Sequence, residues 1–307
     1  MRPDGRARRG RGQTAGVLCA VGDLLDDVVV WLGGPIGGGT DTPAQVFHRR
    51  GGSAANVAAF AAGQGRPARF VGHVGDDPLG DRLLGELAGE GVELCVHRGG
   101  RTGTVVVLVE PGGERTMLTD RGSATDLAGV PEAALDDVEV LHLTSYALVV
   151  EPVATTAKGL AVRARAAGAT VSLDASSVRL LHDLGRPRFE GLLAELRPDV
   201  LLANAAEAAF LGLPQRLPDG VALAVVKRGG ESALVVRPQG APSEVPVPAI
   251  EAVSDTTGAG DAFAAGFLGA LLDGADGADG VAAVIAGHEL AAAVLGQPGA
   301  TLAGGHR

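Results

Sequence analysis

Gly258, Ala259 and Gly260 lead straight into a carboxylate, Asp261, and then into the apolar, small-residue run "AFAAGFLGALL". Three residues with almost no side chain leave their backbone N–H groups open where a helix would begin. The unpaired amides and the helix dipole both favour negative charge there, so the turn reads as an anion hole. Asp261 beside it has two readings. It is a base for an incoming hydroxyl, since a carboxylate otherwise repels a bound anion, or it merely complements the helix dipole. Gly51 and Gly52 precede an alanine-rich helical run and permit close backbone approach. Asn56 in that run can donate to and accept from sugar hydroxyls, or is simply a polar first-turn residue behind a Ser53 cap. Asn204 and Glu207 have capping-box spacing, which by itself accounts for both. Lys227, one of the two lysines of the chain, ends an apolar strand and reads either as a phosphate ligand or as a solvated charge.

Positioning these residues requires a scaffold. "AGVLCAVGD", "RFVGHVGDD", "EVLHLTSY", "TVSLDAS" and "DVLLAN" read as buried strands, alternating with helical runs such as "SAANVAAFAAGQG" and "PLGDRLLGELAGEGV". Continuous apolar strands separated by helices predict an α/β fold whose mostly parallel sheet is covered on both faces. Ligands of such sheets bind beyond the carboxyl ends of the strands, which places Asp23, Asp27, Asp174, Asn204 and 255–261 on one rim. Segments 28–50 and 97–124 break the rhythm with short strands and Gly- and Pro-rich turns, and are expected to form a small β lid over that rim. Residues 14–27, 51–96 and 125–307 are left for the core, and the Arg-rich stretch 1–13 reads as a disordered tail.

The chain has 307 residues, 46% of them apolar but only 3% aromatic, so the core must be built from Ala, Val and Leu. A net charge of -10 argues against a nucleic-acid partner without forbidding a phosphate held by local amides. Cys19 and Cys95 read as reduced, buried thiols, and the histidines show no metal-ligand spacing. No run has the length of a membrane span, so a cytoplasmic protein without membrane partners is expected. No P-loop sequence G-x-x-x-x-G-K-[ST] is present.

"DTTGAGDAFAAGFL" and "GGSAANVAAFAAGQG" resemble the two signatures of the ribokinase-like, or PfkB, family of carbohydrate and nucleoside kinases, and the likeness continues through "GHVGDDPLGDRLLGELAGEGV". That resemblance implies a three-layer ribokinase-like fold with a β-sheet lid. It implies a kinase that transfers the γ-phosphoryl group of ATP, with Mg²⁺, to a hydroxymethyl group of a ribose, fructose or keto-deoxy sugar acid type of acceptor. Asp261 would be the base, and the amides of Gly258, Ala259 and Gly260 would hold the developing charge. Gly51, Gly52 and Asn56 would contact the sugar together with Asp27, although Asp26 stands one residue away. Within "ERTMLTDRG", Arg115 or Arg121 would meet an acidic or ketose substrate. Asn204, Lys227, Gly229 and Gly260 would line the nucleotide phosphates, and Glu207 would serve Mg²⁺, if need be through water. Asp255 and Thr257, with carbonyls near Gly299, would take a monovalent cation of the K⁺ type. The chain departs from the family at Lys227, where threonine is frequent, and at Ser232, where glycine is. "LDASS" keeps only Asp174 of an Asp-x-Asn-x-Arg pattern. Two alternatives stay open: a nucleoside kinase using Trp31, Phe47 or Tyr146 against a base, and a non-catalytic sugar sensor. Apolar faces and open edges in the lid predict a homodimer through it.

Overall fold

The structure is a computed structural model that describes residues 16–249, 256–275 and 280–295. The tail 1–13, Asp255 and Gly299 lie outside the described residues. Strands and helices are numbered in chain order. β1 (Val17–Val21) is buried along its whole length. Its alternate residues serve two different cores, Leu18 and Ala20 one, Cys19 and Val21 the other. That division is why the strand carries no polar alternation.

The large sheet has nine strands in the order β13 (Ser243–Val245), β12 (Glu231–Val236), β11 (Leu223–Arg228), β10 (Val200–Asn204), β9 (Thr170–Asp174), β8 (Val138–Thr144), β1, β4 (Ala68–Val74) and β5 (Glu93–Arg98). It is parallel from β11 to β5, with β12 and β13 added antiparallel at one edge. One face is covered by α1 (Ser53–Gly63), α2 (Pro78–Gly89), α7 (Ala259–Leu272) and α8 (Val281–Leu295). The other carries α3 (Val153–Ala166), α4 (Val178–Leu184), α5 (Arg186–Leu196) and α6 (Ala205–Leu211). The small residues of α7 have a packing reason: a Cβ on Gly266 or Gly287 would press on the carbonyl of Ala286 or Phe263 across the α7–α8 contact.

A separate sheet of four strands runs β3 (Ala44–Gly51), β2 (Leu25–Leu32), β6 (Thr102–Val109), β7 (Arg115–Gly122). β2 starts at Leu25 and pairs with β3 as far as Gly51, so Asp26 and Asp27 belong to the small sheet rather than to the end of the core. Residues 97–98 go the other way, because β5 stays paired with β4 through Arg98. Asp77 ties the two sheets together. It caps α2 through Gly80 N at 2.8 Å and takes the N–H and hydroxyl of Thr102, where β6 begins, at 2.8 and 2.6 Å. Among the described residues, no helix is long and apolar enough to cross a membrane.

Candidate active site

α7 begins at the turn singled out above. Gly258 is its N-cap, in the left-handed region at φ 75°. The three amides are not equivalent: Ala259 N already donates to Thr256 O over a long 3.3 Å. Asp261, in the first turn, is gripped from α1. Ser53 Oγ donates to its Oδ1 at 2.6 Å and Asn56 Nδ2 to its Oδ2 at 2.9 Å. Ser53 is therefore no cap. Gly52 holds the N-cap position without a side-chain bond, and Ser53 is the first helical residue. Its role was not read from the sequence, although the i, i+3 spacing of Ser53 and Asn56 puts both on one helix face. Burial pushes the Asp261 carboxyl up to about 6, against the pull of those two hydrogen bonds. Asn56 turns its amide nitrogen to Asp261, while its Oδ1 is buried with no partner.

Across the mouth of α7 lie Gly51, Gly52 and Asp27. Gly52 sits at φ 97°, and a Cβ there would run into the main-chain carbonyl of Asp23. A Cβ on Gly51 would run into the Asp27 carboxylate, which therefore leans over that glycine. Strand alternation separates the two neighbouring aspartates. Asp26 is buried and holds Arg82 at 2.5 Å and His48 at 2.7 Å. Asp27, on the opposite face, accepts no hydrogen bond among the described residues, and burial with the charges of Asp26 and Asp261 pushes it up to about 7. Arg121 is committed to a protein partner: its guanidinium makes a two-point bond to buried Asp23, at 2.7 Å each, and lies over the Tyr146 ring. Arg115 reaches the turn before α7, donating to Thr257 Oγ1 at 2.9 Å.

On the other side of the turn stands Lys227. A Cβ built on Gly260 would come 3.6 Å from its Nζ, so the ammonium borders the first turn of α7. It is not a solvated charge, being 16% exposed and paired with Asp174 at 2.7 Å. Burial alone would lower the Lys227 pKa, but the Asp174 carboxylate raises it, so the lysine stays cationic. Asp174 is aimed by the Ser176 amide, which donates to its Oδ1 at 2.7 Å from a left-handed φ of 67°. Asn204 and Glu207 form the full capping box of α6. Both Glu207 oxygens accept from Asn204, at 2.8 and 2.7 Å, and the side chain is buried. Burial and the Asp174 charge push Glu207 up to about 7. A direct Mg²⁺ bond from Glu207 does not fit that arrangement. Among the described residues there is no cluster of three or more acidic, histidine or cysteine side chains to hold an ion. Gly229, at φ 61° in the β11–β12 turn, has open space around it.

The raised pKa of Asp27 has a sign that can be tested. An unfolded aspartate titrates near 4 (about 3.9), so between about 4 and 7 the folded chain binds more protons than the unfolded one, and stability rises as pH falls through that window. Asp27→Asn is expected to raise Tm at pH 8, with the gain over wild type shrinking towards pH 5 in scanning calorimetry. An equal gain at both values would show that charge is not the cause.

The fold and this rim define a class, a three-layer α/β protein of the fold found in sugar and adenosine kinases. The structure superposes on adenosine kinase from Sinorhizobium meliloti with a TM-score of 0.80 at 24% identity, covering 94% of this chain and 97% of that one. The family model for pfkB family carbohydrate kinases matches residues 17–304, and the chain belongs to that family. It is 37% identical over 235 residues to an ATP-dependent ribose-1-phosphate kinase from Halopiger xanaduensis, covering 74% of each chain. It is 31% identical over 274 residues to a fructokinase from Klebsiella pneumoniae, covering 83% of this chain and 84% of that one. The protein is an ATP-dependent carbohydrate kinase.

Proposed function

We propose that the protein transfers the γ-phosphoryl group of ATP to a hydroxymethyl group of a small sugar or sugar derivative bound between Asp27, Gly51, Gly52 and Asp261. The observation that carries this is the Asp261 carboxylate, clamped by Ser53 and Asn56 at the open N-terminus of α7. Half-buried, with a pKa near 6, it is ionised at neutral pH yet basic enough to take a hydroxyl proton as the phosphoryl group arrives. The amides of Gly258 and Gly260, with the fixed ammonium of Lys227, stabilise charge on the transferring group. Phosphoryl transfer draws most of its acceleration from such electrostatics. Gly229 gives the nucleotide phosphates a close approach, and Asn204 holds the nearby helix start. Mg²⁺ would be carried chiefly by the ATP phosphates, where it neutralises their charge, with Glu207 acting through water. Thr257 is the one described residue of the monovalent-cation group, and Arg115 ties it to the lid.

The test is ATP turnover with a panel of ribose, fructose, ribose 1-phosphate, a keto-deoxy sugar acid and adenosine, comparing wild type with Asp261→Asn. Turnover that survives the substitution refutes the base. Adenosine stays in the panel because Trp31 and Phe47 are exposed on the Asp27 face of the small sheet, where a nucleobase could lie against them.

The opposite face of the lid supports a homodimer. Val28, Val30, Val46, Val106, Leu108 and Leu118 share it by register, and Val46 and Leu118 are each 55% exposed. A second lid covering that face removes apolar area and two open edges from water. Light scattering is expected to give a dimer, and Leu118→Glu with Val46→Glu a monomer. A wild-type monomer at micromolar concentration sinks the proposal.

A further inference from the structure

Which acceptor the site takes is written on the inner face of the lid. Register sets Arg49 directly across from Asp27, so both side chains leave the small sheet on the face that looks at the catalytic turn. The same face carries two more arginines, Arg115 and Arg121, on β7. Both are committed: Arg121 to Asp23 at 2.7 Å, Arg115 to Thr257 at 2.9 Å. Arg49 makes no hydrogen bond or ion pair among the described residues.

A carboxylate directly opposite an arginine on neighbouring strands normally pairs with it, a contact that stabilises a sheet. Here the pair does not form within 4.0 Å, since no such ion pair occurs among the described residues. The cause is Gly51, whose missing side chain leaves the Asp27 carboxylate room to lean over the glycine, towards α7 and away from Arg49. The lid therefore presents a carboxylate and a guanidinium side by side, each unsatisfied, on the acceptor's side of the turn. A neutral sugar would satisfy the first and leave the second without work.

We infer that Arg49 is a specificity residue that receives an anionic substituent of the acceptor, while Asp27 and Asp261 take its hydroxyl groups. The planar guanidinium fork matches either a phosphate ester or a carboxylate, and a charge-assisted bond to such a group is among the stronger polar contacts available. The anionic group must lie at the end of the sugar remote from the reacting hydroxyl, since Asp261 stands beside that hydroxyl as its base. Arg121 does not take this part, because Asp23 already cancels it.

This inference rests on the kinase reading, and the experiment keeps the two apart by measuring binding as well as turnover. Wild type, Arg49→Gln and Arg49→Lys are compared on matched acceptors that each keep a free hydroxymethyl group: ribose, ribose 1-phosphate, fructose, fructose 1-phosphate and a keto-deoxy sugar acid. Each is followed by ATP-dependent turnover and, without ATP, by calorimetric titration. The expected result is that an anionic acceptor exceeds its neutral parent in kcat/KM. Arg49→Gln should lower that anionic-to-neutral ratio about tenfold or more, mainly through KM, with partial rescue by Arg49→Lys. The phosphate and carboxylate arms show which anion is meant. A wild type that favours the neutral sugar, or a ratio that Arg49→Gln leaves unchanged, overturns the inference and leaves the kinase standing. Arg49-dependent binding of an anionic sugar without any turnover supports the inference and overturns the kinase reading.

Discussion

Asp261→Asn is expected to lower kcat by about a hundredfold or more while the protein stays folded. The fold should survive for a local reason. An asparagine at 261 still accepts from Ser53, and its new N–H₂ group would meet Asn56, whose Oδ1 is buried with no partner in the native protein. A half-turn of the Asn56 amide then satisfies both groups. Burial penalises the Asp261 charge, so removing it does not cost stability at neutral pH. Wild-type kcat/KM should fall on the acid side of about pH 6, where the base becomes protonated, and that limb should vanish in Asp261→Asn. Ser53→Ala tests the clamp separately. The Ser53 hydrogen bond holds the pKa down, so its loss should move the acid limb upward. A profile that ignores both substitutions would place the base elsewhere.

Gly52→Ala should have the second largest effect, on folding and catalysis together. The residue sits at φ 97°, ψ 114°, which L side chains rarely adopt, and the new Cβ would strike a backbone carbonyl that cannot rotate away. Strain of that kind costs roughly 1–3 kcal/mol before the clash is counted. A Tm lower by about 5 °C or more is the expected calorimetric result. Gly52 also sets the entry of α1, so relief by backbone movement displaces Ser53 and Asn56 from Asp261. A shift near 1 Å in such a site can cost about a hundredfold in rate. Gly65→Ala is the control. Gly65 has φ 75° but open space around it and no part in the site, so it should lower Tm modestly and leave kcat alone. Equal losses of kcat in both variants would mean that general instability, not the α1 entry, explains the effect.

Some of these relationships are visible in one dimension and others are not. The alternation of continuous apolar strands with alanine-rich helices specifies a parallel sheet buried on both faces, because burial on one face or two leaves a periodic mark in the chain. The glycines at 51, 52, 258 and 260 announce close approach for an equally local reason, since the absence of a side chain is a property of the residue itself. Asp261 at the head of α7 follows from the same stretch. What needed the tertiary structure was the partner of each polar group. Ser53 and Asn56 meet Asp261 across 208 and 205 residues of sequence. Asp27 is the candidate on paper with Asp26 one residue away, and strand register is what turns Asp26 to Arg82 and Asp27 to the opposite face. The sequence offers Arg115 and Arg121 alike without showing that Asp23 pairs with Arg121, and it leaves Lys227 as either a phosphate ligand or a solvated charge until Asp174 is found beside it. Backbone conformation and burial pattern are dictated by near neighbours and are written locally. The charge state, orientation and availability of a side chain depend on groups that folding brings from far away, and no spacing in the chain records them.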